Sequence, residues 1–284
     1  MLVFHTAFAV YDDRRGTSTF RSASSDAARV ERQQSKLRAS DDAMRLKIRA
    51  IDIGRQDQVE RQFSRSAEEA IGGVRSFQGR TVLCLGARLG GEVRAFKALG
   101  ALAVGVDVEP GDGNMDVLVG DFEHLAFADA SFDFAYSNVL DHVHDLRTFG
   151  SEACRVLKPG GMFFAALFPA SRDRWSGQQA VSASSQGVLV RKLAPNFALV
   201  NSTFVRETMR VRELARGLVG DMAHNASDIA RIGPWNQEIT TLYLRRNDAP
   251  STSCDGLRAP GHVAPLRKAA QRTIYILYVR TVLK

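Results

Sequence analysis

The run of residues 81–168 predicts a doubly wound α/β sheet. Short apolar segments of strand length alternate with helical patterns through this region, as expected of parallel strands joined by crossover helices. A glycine turn follows the first of these strands. Gly86, Asp107, Asp121 and Asn138 all fall at the carboxyl ends of strands, where an open α/β sheet places its ligand crevice.

The elements follow in order. Residues 22–63, without proline and rich in Ala, Arg, Gln and Asp, read as helix. Val30, Leu37, Met44 and Ile51 recur every seven residues, but Gln34 and Asp41 interrupt the companion positions. One apolar stripe docked on the domain is therefore expected rather than a coiled-coil seam. Gly54 is expected to break this helix, and residues 67–77 to form a second one ending at the Gln78-Gly79 turn. Thr81 to Leu85 reads as the first strand, and Glu92 to Leu99, with Val93 and Phe96 at helical spacing, as the helix after the turn. Ala103 to Val108, Val117 to Val119 and Ser131 to Ser137 are the next three strands. Thr148 to Leu157 is helical, Lys158-Pro159-Gly160-Gly161 stops it, and Met162 to Phe168 is the fifth strand.

Beyond residue 170 the pattern predicts a short helix at 188–193, a strand at 197–205, one or two helices over 206–232 and a strand at 238–246. Residues 247–265 read as a linker, and 267–284 as a basic and apolar tail. The expected organisation is a helical extension over 1–66, an α/β domain over 67–246 and a C-terminal segment over 247–284.

Composition narrows the classes. A chain of 284 residues with 45% hydrophobic content can bury a sizeable core. No apolar run reaches the ~20 residues of a membrane-spanning helix. The net charge of +7 belongs to the flanks, because acidic side chains outnumber basic ones between 80 and 170. Three cysteines, Cys84, Cys154 and Cys254, are odd in number and share no metal-ligand spacing. Neither a disulfide framework nor a zinc site is indicated, and a cytoplasmic location is expected.

The motifs resemble those of the class I S-adenosylmethionine-dependent methyltransferases. The resemblance rests on Leu85-Gly86-Ala87-Arg88-Leu89-Gly90, Gly105-Val106-Asp107, Gly120-Asp121-Phe122, Phe132 to Asn138 and Leu157-Lys158-Pro159-Gly160-Gly161, in this order and spacing. It implies a Rossmann-like seven-stranded sheet, mostly parallel, whose last strand, here Thr240 to Arg245, runs antiparallel. It also implies S-adenosylmethionine as cofactor. Leu85, Gly86, Ala87 and Gly90 would form the turn against its methionine part, and Asp107, followed by Val108, would take both ribose hydroxyls. Asp121 and the Phe122 amide would take the adenine, and Asn138 would line the floor near the sulfonium. The chain departs from the pattern twice: Cys84 stands where the family has an acid, and Arg88 where it has a glycine. Gly91 and Glu92, just after the turn, are the candidate compensation.

A glycine turn with an acid 21 positions later, Gly86 to Asp107, also describes a nicotinamide site, but the G-x-G-x-x-G spacing is absent. For the chemistry, Asp141-His142-Val143-His144-Asp145 is the dense titratable cluster beside the predicted crevice. His142 is the candidate base and Asp141 its orienter; the alternative is that Asp141 or Asp145 caps a helix. No metal set is expected, since His142 and His144 diverge on a helix. The expected activity is methyl transfer to a small-molecule acceptor. A non-catalytic S-adenosylmethionine-binding protein and a nicotinamide-dependent oxidoreductase are the alternatives. Arg206, Arg210, Arg212 and Arg216 suit an anionic acceptor or a solvated helix face. Nucleic acid is disfavoured because aromatics do not interleave with the basic runs. The tail is expected to pack on the domain, the alternatives being pairing with a partner or lying on a membrane surface.

Overall fold

A computed structural model describes residues 42–71, 77–111, 113–168, 186–209, 235–247 and 254. Its elements are α1 (Asp42–Ile71), β1 (Thr81–Leu85), α2 (Gly91–Ala98), β2 (Leu102–Asp107), β3 (Val117–Val119), β4 (Phe132–Ser137), α3 (Leu146–Val156), β5 (Leu157–Leu167), α4 (Gln186–Leu193), β6 (Phe197–Met209) and β7 (Trp235–Arg246). The strands form one seven-stranded sheet in the order β3-β2-β1-β4-β5-β7-β6. Pairings among β1 to β5 are parallel, and β7 runs antiparallel to both β5 and β6. This is the predicted mixed sheet with an antiparallel last strand.

Because side chains alternate across a strand, each central strand feeds two cores. Val82, Cys84, Phe134, Tyr136, Phe164 and Tyr243 face one side, against Phe63 of α1 and Val93 and Phe96 of α2. Leu83, Leu85, Ala135, Phe163, Ala165 and Leu244 face the other, against Phe149 and Cys154 of α3 and Leu189 and Leu193 of α4. Phe63 is the hub of the first core, with ring centroids of Phe77, Phe96, Tyr136, Phe164 and Tyr243 between 4.9 and 6.2 Å away.

The helical extension departs from expectation. The helix runs unbroken through Gly54 to Ile71, and residue 66 lies inside it. Intrinsic propensity costs about 1 kcal/mol at a helical glycine; burial of Val59 and Phe63 in the core outweighs that. The helix also comes so close to α2 that a Cβ on Gly91 would lie 2.3 Å from the Asp52 carbonyl oxygen. Residues 22–41 of the expected helix lie outside the described residues.

The other differences are local. The Lys158-Pro159-Gly160-Gly161 stop ends α3 at Val156, as expected, yet it lies within β5. Leu157 pairs with Phe132 and Met162 with Phe134, so the four residues form a bulge opposite Asp133 alone. β6 extends to Met209, so Arg206 is in a strand rather than a helix, ion-paired to Glu238 at 2.7 Å on an exposed surface. Arg210, Arg212 and Arg216 lie outside the described residues, as does the C-terminal tail. No helix among the described residues is long and apolar enough to cross a membrane.

Cys154 of α3 and Cys254 form a disulfide, with Cα atoms 5.8 Å apart, while Cys84 is free and buried. Spacing could not reveal this bridge, which joins positions 100 residues apart. It removes the cysteine argument for a reducing compartment.

The bulge has a structural job at the amino edge of the sheet. Lys158 Nζ donates to Asp133 Oδ2 at 2.8 Å, and the Thr81 amide and hydroxyl donate to the same oxygen at 3.0 and 2.8 Å. Burial opposes the charge of this carboxyl, but these donors prevail and hold its pKa down at about 2. A depressed carboxylate adds stability above its unfolded pKa of ~3.9 and loses it as pH falls toward the folded value. Asp133→Asn is therefore expected to lose about 1.5–3 kcal/mol at pH 7. Urea unfolding should show the gap to the wild type closing between pH 4 and pH 2.

Candidate active site

Four strand ends converge on one edge. At β1 the chain turns at Gly86, whose φ of 75° is left-handed, a conformation glycine adopts without strain. The Gly86 amide donates to the Val106 carbonyl at 2.8 Å, which ties the turn to β2. A Cβ on Gly86 would lie 2.1 Å from Val139 Cγ2, so the turn also touches the chain leaving β4. Leu85 and Ala87 are buried on either side of it, and Gly90, at φ 87°, starts α2.

Asp107, at the end of β2, accepts the Arg88 amide on Oδ2 at 2.9 Å and the Glu109 amide on Oδ1 at 2.8 Å. Burial pushes its carboxyl pKa up, against the pull of these two amides and of the Arg88 guanidinium. A carboxylate has about four lone-pair sites. The two amides occupy one on each oxygen, which leaves each able to accept one hydroxyl of a vicinal diol. Gly120 donates to the Asp107 carbonyl at 2.9 Å, bringing the β3 end alongside. There Asp121 Oδ1 accepts the Glu123 amide at 2.9 Å, closing a turn. The Phe122 ring points away from the edge into the core, edge-on to Phe149 at 5.7 Å. Val108 is buried beside Asp107.

Arg88 does not turn out to solvent. Its backbone is left-handed, at φ 44°, and its half-buried guanidinium lies in the field of Asp107 and Asp52. Cys84 is a neutral thiol: burial pushes its pKa well up, and nearby Glu92 adds to this.

The largest departure from the sequence reading comes from α1. Its Asp52 accepts the Gly91 amide at 2.7 Å, capping the first turn of α2, and pairs with Arg94. Arg55 Nε lies 3.8 Å from Glu92 Oε1. Asn138, at the β4 end, donates to that same Glu92 oxygen. Burial raises the Glu92 pKa to about 7, with Arg55 and the Asn138 amide opposing. Asp52 and Arg55 precede the turn by more than 30 residues; in sequence they fall within the expected long helix, with no local signal that links them to the turn.

The titratable cluster after β4 divides in two. Asp145 caps α3, accepting from the Arg147 amide and the Thr148 hydroxyl, both at 2.9 Å. Buried Glu123 takes the His144 amide at 2.6 Å and locks this loop to the β3 turn. Asp141 and His142 instead form a short 3-10 turn at the rim, with His142 Nε2 3.8 Å from Asp141 Oδ2 and both side chains partly exposed. No group of three or more metal-ligating side chains occurs among the described residues.

Comparison with known proteins agrees with this geometry. Residues 83–165 match the family described as methyltransferase domain. A 24-methylenesterol C-methyltransferase 2 of Oryza sativa subsp. japonica is 32% identical over 120 residues, 36% of this chain and 33% of that protein. The chain thus matches about a third of that relative's length. Among solved structures, a 1,6-didemethyltoxoflavin-N1-methyltransferase of Burkholderia thailandensis, with 1,6-didemethyltoxoflavin and S-adenosylhomocysteine bound, is 18% identical. It covers 67% of this chain and 79% of its own, with a TM-score of 0.43. Residues 83–165 thus match a methyltransferase domain family, and they lie within a seven-stranded sheet of the order β3-β2-β1-β4-β5-β7-β6.

Proposed function

We propose that this protein transfers a methyl group from S-adenosylmethionine to a small-molecule acceptor. The observation that carries the reading is Asp107: a half-buried carboxylate, aimed by two backbone amides beside the glycine turn, with acceptor capacity left for two hydroxyls. When bound, S-adenosylmethionine supplies an electrophilic methyl group on a sulfonium. Asp107 and Val108 would hold its ribose, Leu85, Gly86, Ala87 and Gly90 would line its methionine side, Asp121 and the Phe122 amide would meet the adenine, and Asn138 would form the floor.

The protein's part is mainly alignment, which can supply up to ~7–11 kcal/mol in a displacement of this kind. His142, at the exposed rim four residues beyond Asn138, would take a proton from an acceptor, with Asp141 orienting it. Such a base contributes ~10²- to 10⁴-fold where the acceptor must lose a proton.

Asp107→Ala removes the ribose acceptor. Charge-assisted hydrogen bonds contribute ~1.5–3 kcal/mol, so affinity for S-adenosylhomocysteine should fall roughly 10- to 100-fold by calorimetric titration. Titration of the wild type with S-adenosylmethionine, S-adenosylhomocysteine and NAD separates this reading from an oxidoreductase. Absence of micromolar binding to the first two ligands would sink it. Transfer of a radiolabelled methyl group into a metabolite extract separates an enzyme from a cofactor-binding protein and identifies the acceptor.

A further inference from the structure

Beneath the glycine turn lies a buried pair of opposite charges that the ribose and adenine contacts do not use. Arg55 of α1 and Glu92 of α2 are 7% and 6% exposed. Among the described residues, Arg55 is the one lysine or arginine that is buried. Taking two charges out of water is costly, and this pair is not in direct contact. At 3.8 Å it is about 1 Å longer than a direct charge-assisted hydrogen bond.

Each charge is nonetheless carefully held. Gln58 Oε1 accepts from Arg55 Nη1 at 2.8 Å, and the Phe168 ring, just past the carboxyl end of β5, lies 4.8 Å from the guanidinium carbon. The Asn138 amide fixes Glu92. Tyr136 Oη, buried beside Asn138, lies in electrostatic reach of both charges.

We propose that Arg55 and Glu92 receive the two ends of the methyl donor's amino-acid group, Arg55 its carboxylate and Glu92 its ammonium; this rests on the methyl-transfer reading. An α-amino acid carries opposite charges a few ångströms apart, which suits a cation and an anion that are fixed but not in direct contact. The neighbouring groups are otherwise committed. Cys84 carries no charge, and Asp52 is engaged by the Gly91 amide and Arg94. Glu92 thereby does from α2 what an acid at position 84 would do from β1.

Ammonium binding requires ionised Glu92. The groups that face it are Arg55 and Asp52 from α1, Cys84 from β1, Tyr136 from β4 and Asn138 beyond it. Since burial keeps Glu92 partly protonated near pH 7, binding should release a proton there.

The test uses the full chain and two nucleosides: S-adenosylhomocysteine, and 5′-methylthioadenosine, which lacks the amino-acid end. The wild type should prefer S-adenosylhomocysteine. Arg55→Met and Glu92→Gln should each weaken S-adenosylhomocysteine binding about 10- to 100-fold and leave 5′-methylthioadenosine within about twofold, with Arg55→Lys partly restoring the difference. Calorimetry at pH 7 in two buffers of different ionisation enthalpy should detect proton release with the wild type and none with Glu92→Gln. Equal losses for both nucleosides, or no loss for either, overturn the assignment while leaving methyl transfer standing. A wild type that binds neither nucleoside defeats the methyl-transfer reading itself.

Discussion

Gly86→Ala is expected to reduce affinity for S-adenosylhomocysteine at least ~100-fold, the equivalent of about 2.7 kcal/mol, and to destabilise the fold as well. Two effects combine at this position. An alanine at φ 75° takes the left-handed conformation at a cost of ~1–2 kcal/mol. Its methyl would also lie 2.1 Å from Val139 Cγ2, and relieving such an overlap in a packed site typically costs ~1–3 kcal/mol. The overlap has no local escape. The Gly86 amide is bonded to Val106 on one side, and Val139 directly follows Asn138, which is bonded to Glu92. Whichever side yields, either the turn leaves β2 and Asp107 or the β4 loop moves with Asn138. Val139→Ala in the same chain should relieve the steric part and leave the backbone part. The double variant should therefore recover a portion of both affinity and stability. Full affinity in Gly86→Ala alone would mean that this turn does not face the cofactor.

Most of this edge could be read from the sequence because it depends on local signals. The alternation of strands and helices from Thr81 to Leu167, the glycines of the turn and the acid ending β2 are each set by a few adjacent residues, and their order fixes the sheet. The helix start at Asp145 was legible for the same reason, as one of two candidate caps. What could not be read depends on contacts between distant residues. The α1 helix continues through Gly54 because Phe63 fills a core formed by Phe77, Phe96, Tyr136, Phe164 and Tyr243, and no window around residue 54 contains that core. The partnership of Arg55 and Glu92 spans 37 positions and depends on how α1 crosses α2. Arg206 shows the converse error: its region was expected to be helical, whereas a long antiparallel pairing with β7 makes it a strand residue matched to Glu238. The bridge between Cys154 and Cys254 was hidden likewise, since an odd count of cysteines with no shared spacing carries no pairing information.

Cys254→Ser is expected to lower stability by up to about 4.7 kcal/mol, the chain-entropy value for closing a loop of ~100 residues. The separation of Cys154 and Cys254 is 100, so the bridge constrains a large part of the unfolded chain, from α3 across β5, β6 and β7. Serine at 254 is the cleaner test, because Cys154 is 1% exposed within the core that includes Phe149, Phe163 and Leu193. A polar replacement there would add a burial cost of its own. For a chain of this size the loss corresponds to a fall of roughly 10–15 °C in Tm, measurable by calorimetry with and without reductant. The wild type in dithiothreitol should fall to the level of Cys254→Ser in its absence, and the variant should not respond to reductant. A wild type unaffected by full reduction, confirmed by thiol titration, would show that folded-state packing around Cys154 holds residue 254 without the covalent bond. The cofactor edge supplies an internal control. Asp107, Arg55 and Glu92 lie on β2, α1 and α2 rather than on α3, so reduction at a temperature where the chain stays folded should leave affinity for S-adenosylhomocysteine unchanged. Loss of stability without loss of affinity would mark the bridge as a staple of the scaffold, acting on the opposite side of the sheet from Arg55 and Glu92.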